Sequence, residues 1–335
     1  MHEKLKKLKD VFAGNGSLLI VMQDNPDPDS IASAVALRKL ANSLNNIACS
    51  IAHGGTVGRG ENRALVKYLD LNLHLCGEVD FYSYDLIGIV DTQPGTGNNS
   101  LPDKIIPDIV IDHHPMKELT KSAQFYDIRS RCGATCTMML EYLLQAKVEI
   151  DMPLATGLLY GIRSDTQDLG REATNADIKA IEVLYPVANK RMLSEIQRGS
   201  VHREYFRMLV EALGNAYVYG DCAITCLRTA NNPDMIAEIA DLLLRDENID
   251  AAVCYGIYKD KILFSVRTLE SLNNADKIAL SIADNIGTGG GHQTYAGGQI
   301  SLENGSEAES KKAEEIIKRK TLDALGISED REKLV

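Results

Sequence analysis

A chain of 335 residues is long enough for two domains, and 44% apolar with 25% charged residues is ordinary globular composition. The formal net charge of −11 excludes a surface that grips long duplex nucleic acid, but not a short anionic ligand beside bound cations. No apolar run is as long as a membrane span, the charged N-terminus does not read as a secretory leader, and seven cysteines without a paired framework lead us to expect a reducing cytoplasm.

In chain order, residues 1–14 read as a charged amphipathic helix and Ser17 to Met22 as a first strand. Asp29 or Ser30 then caps a helix to about Ser43, with Ile31, Val35, Leu37 and Leu40 available to the core. A strand at Ile47 to Ala52 leads through His53-Gly54-Gly55 to a helix starting near Glu61. Strands follow at Asp85 to Val90 and Asp108 to Ile111, then helices at Cys132–Gln145, Met152–Arg163 and Asn175–Leu184. The alternation predicts an α/β domain with a mainly parallel sheet flanked by helices.

After Pro186 the texture changes. Two helical stretches, Arg191–Arg198 and Arg203–Leu213, have no strand between them and read as a connector. A smaller α/β domain is expected beyond it: strands at Ala216–Tyr219, Cys222–Leu227, Ala251–Tyr258, Lys261–Arg267 and Ala296–Ser301, with helices at Pro233–Leu244, Ala275–Asp284 and Ser306–Leu325. Gly287 to Gly291 reads as a glycine-rich loop ending at His292. The expected division is 1–190, a helical connector at 191–214, and 215–335.

Several apolar segments of the first domain stop at a carboxylate, and in open α/β sheets ligands bind at the C-terminal tips of strands. Leu18 to Met22 runs into Gln23-Asp24-Asn25-Pro26-Asp27-Pro28-Asp29, Leu86 to Val90 into Asp91, and Val110-Ile111 into Asp112-His113-His114. Asp165 follows a predicted helix. Asp27 and Asp29, taken as extended chain, point the same way and repel unless a cation lies between them; alone, an Asp-rich helix cap explains them better. Joined by Asp91, His113 and Asp165 they form a carboxylate-rich set with one imidazole, which suits Mn²⁺ or Mg²⁺ better than structural zinc. The carboxylates suffice for two ions, about 3.5–4 Å apart in such centres. Cys132/Cys136 and Cys222/Cys226 lack zinc-ligand spacing and read as buried thiols.

In the second domain, Gly289-Gly290-Gly291-His292 is either a plain flexible turn or a place where backbone N–H groups approach an anion, with Gly297-Gly298 beyond it and Arg267 at a strand end as a phosphate or base contact. His53, Asn62, Arg63, Arg131, Thr135, Arg163 and Arg171 are weaker candidates, as well explained by capping or solvated faces.

These stretches resemble the DHH phosphoesterase superfamily, which includes RecJ-type exonucleases, nanoRNases, cyclic-dinucleotide phosphodiesterases and some pyrophosphatases. DNPDPDSIAS is similar to its first motif, Asp91 to its second, Asp112-His113-His114 to its third, GIRSDT to its fourth, and GTGGGHQTYAGG to the glycine-rich segment of the DHH-associated C-terminal domain. Length and connector most resemble the nanoRNase and pAp-phosphatase branch. The resemblance implies Asp27, Asp29, Asp91, His113 and Asp165 as ligands of two Mn²⁺ ions, His114 beside the substrate phosphate and Asp112 as its orienting neighbour. It also implies hydrolysis of short nucleotides such as pApA, pGpG, nanoRNA or a 3′,5′-bisphosphate nucleotide, and a possible homodimer. The chain departs from the family at Gln23, where the first motif usually has His; an amide oxygen is the poorer ligand, which weakens one metal position. Two other functions stay open on these residues: a nucleotide binder with little turnover, and a phosphoanhydride hydrolase.

Overall fold

The computed structural model describes residues 2–302 and 307–335. Its contacts divide the chain into two units, Met1–Ser200 and Val201–Val335. The first unit contains α1 (His2–Phe12), β1 (Ser17–Val21), α2 (Pro28–Asn45), β2 (Ala48–His53), α3 (Gly60–Tyr68), β3 (Leu73–Leu75), β4 (Leu86–Val90), β5 (Ile109–Asp112), β6 (Phe125–Ile128), α4 (Thr135–Gln145), α5 (Met152–Asp165), α6 (Asn175–Leu184) and α7 (Lys190–Gln197).

Its strands form one sheet in the order β3-β2-β1-β4-β5-β6. Every pairing in it is parallel. β1 and β4 are apolar along nearly their whole length because both faces of the sheet are covered. The covers differ. One face carries the main core, where Ile20, Val90 and Ile111 meet side chains of α2, α4 and α5. The other is closed by short 3₁₀ turns and loops, with Cys76, Phe81 and Ala123 against Leu19, Val21, Ile89 and Val110. Chain order reverses across β1 and β4, which opens a crevice at their C-terminal ends.

The second unit contains α8 (Arg203–Asn215), β7 (Tyr217–Tyr219), β8 (Cys222–Thr229), α9 (Asp234–Leu243), β9 (Ala251–Tyr258), β10 (Lys261–Thr268), α10 (Ala275–Ala283), β11 (Gly287–Gly291), β12 (Tyr295–Ser301), α11 (Glu307–Leu325) and β13 (Glu332–Lys333). They make a seven-stranded mixed sheet, β11-β12-β10-β9-β8-β7-β13. Among the described residues of this unit, only β8 and β9 pair in parallel.

Some expectations change on the structure. The stretch read as a connector is divided: Leu193 and Ile196 of α7 are buried in the first unit's core, whereas Met208 and Ala212 of α8 are buried in the second's. The glycine run is an edge strand, not a loop, paired antiparallel with β12. Glycine at Gly298 is what lets the strands close, since a Cβ there would overlap the Thr288 carbonyl and the Phe264 ring. Met1 and Ser306, expected within the first and last helices, lie outside the described residues. No helix among the described residues is long and apolar enough to cross a membrane.

Candidate metal centre

The tips of β1, β4 and β5 and the C-terminal end of α5 bring five carboxylates and two imidazoles together. Asp27 is the N-cap of α2, its side chain accepting the Ser30 N–H at 2.9 Å. Asp29 lies inside the first turn of α2 instead of in extended chain, and is buried. The helix cap and the acidic cluster are therefore the same feature. Asp29 accepts two backbone N–H groups from the start of α4, Thr135 at 2.7 Å and Cys136 at 2.8 Å.

Asp91, just past β4, is buried with a left-handed backbone (φ 59°), an uncommon conformation that clusters at functional positions. It accepts the Thr135 hydroxyl at 3.0 Å. Gln23 presents its amide nitrogen to the other Asp91 oxygen at 3.4 Å. Asp112 ends β5, and His113 follows it. The Cys132 carbonyl accepts from His113 Nδ1 at 3.1 Å, which turns Nε2 toward Asp165 at 3.1 Å and Asp91 at 3.7 Å. Asp165 is the last residue of α5.

Among the described residues, two sets have ligand atoms close enough to hold a cation: Asp91, His113 and His114, and Asp29, His113 and Asp165. Within each set all atoms lie within 4.8 Å of one another, and His113 belongs to both. His114 thus stands among the possible ligands, beyond the phosphate-facing place implied for it. Asp27 and Gln23 fall outside both sets but adjoin them.

The electrostatics point the same way. Burial, then Asp165 and Asp29, push the Asp27 carboxyl up to about 6. Burial and the charges of Asp27 and Asp29 push Asp91 well above the carboxylate range. Burial and Asp165 also raise Asp29. Burial works against a charged His113, but Asp165, Asp29 and Asp112 outweigh it and lift the imidazole to about 10. Burial likewise opposes the charge of Asp165, yet His113 holds that carboxyl below its usual range. More carboxylates converge than two imidazoles neutralise, and divalent cations would remove the imbalance. The hard oxygen donors with imidazole fit Mn²⁺ or Mg²⁺.

Residues outside the expected set orient these side chains. Gln93 is fully buried. Its amide N–H groups donate to Asp112 Oδ2 at 2.7 Å and the Pro115 carbonyl at 3.1 Å. Its carbonyl accepts from Lys117 N at 2.7 Å and the Thr120 hydroxyl at 2.8 Å. Asp112 Oδ1 in turn lies 2.8 Å from His114 Nδ1. Burial raises the Asp112 carboxyl, but His114 and Gln93 outweigh it and leave it depressed. Asp177, in the capping box of α6, also accepts the Gly133 N–H at 3.0 Å and so fixes the loop carrying the Cys132 carbonyl. Adjacency to Asp91 was the one sequence signal for Gln93; Asp177 reads only as a cap.

Most of the weaker candidates have structural partners. Arg163 pairs with Asp168, Arg171 donates to the Asp165 carbonyl at 2.8 Å, and Asn62 donates to the Pro26 carbonyl at 3.0 Å. His53 is buried, its Nδ1 3.4 Å from the Asp24 carbonyl. In the second unit, Arg267 is engaged by Asp241, donates to the Ser265 hydroxyl at 2.7 Å and lies over the Tyr295 ring. His292 stacks on Tyr295 with centroids 4.5 Å apart. Gly289, Gly290 and Gly291 lie on β11, with Gly297 and Gly298 on β12 beside them.

Residues 17–162 match the DHH family, N-terminal domain, and residues 216–319 match the DHHA1 domain. The chain belongs to the DHH phosphoesterase superfamily. It is 35% identical over 320 residues to the uncharacterized protein MJ1633 of Methanocaldococcus jannaschii, covering 93% of this chain and 65% of that one. It is 24% identical over 319 residues to the cyclic-di-AMP phosphodiesterase GdpP of Bacillus subtilis, covering 90% and 47%. A probable manganese-dependent inorganic pyrophosphatase of Lactobacillus gasseri is 26% identical over 171 residues, covering 51% and 54%. The chain therefore spans about half to two thirds of the length of these relatives. Among solved structures, an exopolyphosphatase-related protein from Bacteroides fragilis shares this DHH fold, with a TM-score of 0.75, 16% identity and 97% and 98% of the two chains covered.

Proposed function

We propose that this DHH protein is a metal-dependent phosphoesterase that hydrolyses short nucleotides, with two Mn²⁺ ions per chain, or Mg²⁺ in their place. The observation carrying this reading is the pair of acid–imidazole sets that share His113. When bound, the ions would activate a water and neutralise charge developing at phosphorus. In this reading Asp27, Asp29, Asp91, His113 and Asp165 hold the ions, with Gln23 a weak donor. His114, oriented by Asp112 and Gln93, contacts the phosphoryl group. Arg267, Gly289, Gly290, Gly291, His292, Gly297 and Gly298 bind the nucleotide.

The substrate class is a linear dinucleotide such as pApA or pGpG, a nanoRNA or a 3′,5′-bisphosphate nucleotide. A net charge of −11 and 5% aromatic residues supply neither a basic track nor a stacking platform for long strands. The named activity of GdpP supports the phosphodiester class. We place the protein in the cytoplasm, where its seven free cysteines stay reduced, and allow a homodimer.

Two other readings have an observation behind each. The likeness to a manganese-dependent pyrophosphatase favours a phosphoanhydride. The Gln23 amide facing Asp91 favours a binder with weakened turnover. The deciding experiment pairs this chain with Gln23→His on pApA and on pyrophosphate, with Mn²⁺ and bound metal counted. Cleavage of pApA supports the proposal. Release from pyrophosphate alone moves the protein to the anhydride class. Tight binding with turnover restored only in the variant assigns the binder. Inertness of both chains toward both substrates refutes the enzyme reading.

A further inference from the structure

Within the first unit, between α3 and α7, lies a cavity of about 830 Å³ that none of the metal-centre residues lines. That volume falls in the range of small-molecule sites, about 300–1,000 Å³. Its charge runs against the acidic chain. Arg63, Lys67 and Arg198 line it, and Glu195 is the one acidic lining residue. Glu195 is already paired with Arg191 at 3.1 Å. Lys67 and Arg198 make no ion pair among the described residues. The Arg63 guanidinium is held in place by neutral acceptors, the Gly58 carbonyl and the Ser200 carbonyl, the latter at 3.1 Å. Its charge is thus oriented and makes no ion pair among the described residues, with further N–H donors to spare.

The remaining wall joins apolar side chains with the hydroxyl residues Ser194 and Ser200. Ala64, Tyr68 and Met192 contribute to it. The Tyr68 hydroxyl lies 3.3 Å from Thr156 Oγ1, which anchors the ring. Buried Leu193 and Ile196 anchor α7. Gly199 packs against Gly60 so closely that a Cβ on Gly199 would overlap the Gly60 carbonyl carbon. A site built before its ligand arrives forfeits little binding energy to ordering.

We propose that this cavity binds a small phosphate-bearing organic anion, of which a nucleoside monophosphate is the class it fits. The phosphate, with close to two negative charges at neutral pH, meets Arg63, Lys67 and Arg198. The uncharged body lies along Tyr68 and Met192. The site is separate from the metal centre and does not depend on the activity proposed above.

The test is calorimetric titration of the full chain with adenosine 5′-monophosphate, and separately with inorganic phosphate, with a chelator present. Saturable nucleotide binding is expected in the wild type and equally in Asp91→Asn and in His292→Ala, which alter the metal centre and the nucleotide contacts proposed for the second unit. The double variant Lys67→Ser/Arg198→Ser should weaken it by about tenfold to a hundredfold, the range for losing charge-assisted hydrogen bonds. Both side chains are exposed, so the variant should keep the wild-type melting profile. Glu195→Gln should bind severalfold more tightly, and the Met192 methyl resonance should move on titration. The proposal is overturned if the double variant binds as the wild type does, if Asp91→Asn or His292→Ala abolishes binding, or if no saturation is reached by about 10 mM. Inorganic phosphate binding as tightly as the nucleotide would overturn the ligand class assigned.

Discussion

Replacing Gln93 by Met keeps the approximate length and volume of a fully buried side chain and removes all of its hydrogen bonding. In the native chain the amide links Asp112, Pro115, Lys117 and Thr120. A buried donor left unpaired costs about 1–3 kcal/mol, and a bond to a charged acceptor contributes about 1.5–3 kcal/mol. Lys117 N and Thr120 Oγ1 lose their acceptor and Asp112 Oδ2 loses a donor. Because the hydroxyl can turn and the contacts are not additive, the expected loss is about 4 kcal/mol. For a unit of about 200 residues this corresponds to a fall of roughly 8–16 °C in the melting of the first unit. Differential scanning calorimetry, with the two units' transitions fitted separately, reads it. Because Asp112 also positions His114, Mn²⁺ affinity should drop about tenfold to a hundredfold. A melting shift under about 3 °C with metal affinity intact would refute the claim that Gln93 organises this side of the centre.

Four further predictions follow from the electrostatics and packing. Asp127 is buried against Lys4, Arg129 and Tyr142, and these partners outweigh burial to depress its carboxyl. A depressed carboxyl stabilises the fold above its unfolded pKa, and that contribution is lost as pH falls through the folded value. Asp127→Asn should therefore cost about 3–5 kcal/mol at pH 7, with the difference from wild type shrinking below about pH 4 in urea titrations. In the metal-free chain Asp27, raised to about 6, and Asp91, also raised by burial and its acidic neighbours, act oppositely: their contribution is complete below the unfolded pKa and is lost as pH rises through the folded values. Melting temperature without metal should thus fall between about pH 4 and 6, and saturating Mn²⁺ should abolish the slope; a slope unchanged by metal would count against these carboxylates as ligands. His113, lifted to about 10, is protonated at pH 7.5, so metal binding should release roughly one proton or more per chain. Calorimetry in buffers of different ionisation enthalpy counts it, and no release would place the metal away from His113. Finally, a Cβ at Gly133 would lie 2.6 Å from Asp177 Oδ2 and 2.8 Å from Thr166 Cγ2. Gly133→Ala should cost about 1–3 kcal/mol by thermal melt, and an unchanged melt would show that this loop adjusts freely.

The clustering of these carboxylates was legible in the sequence because a parallel sheet turns linear order into spatial convergence. Strands buried on both faces read as unbroken apolar runs, and parallel pairing sets all their C-terminal ends on one side. Asp27, Asp91, Asp112 and His113 each follow such a run, so one dimension was enough to group them. Asp165 was legible only as a motif residue, since it ends a helix whose direction the packing decides.

What surrounds those residues was set by the tertiary structure alone. The start of α4 donates backbone N–H groups to Asp29 and a hydroxyl to Asp91, groups that every residue or many residues could supply. Asp177 looks like a cap because it is one, and its second task exists only where Gly133 reaches it. The glycine run became a strand because β12 supplies a ladder that glycine's own propensity does not favour. Local pattern records which way a side chain faces and where an element stops. A backbone carbonyl, an amide or a ladder partner contributed from a distant segment leaves no period in the sequence, so only the folded chain could assign it.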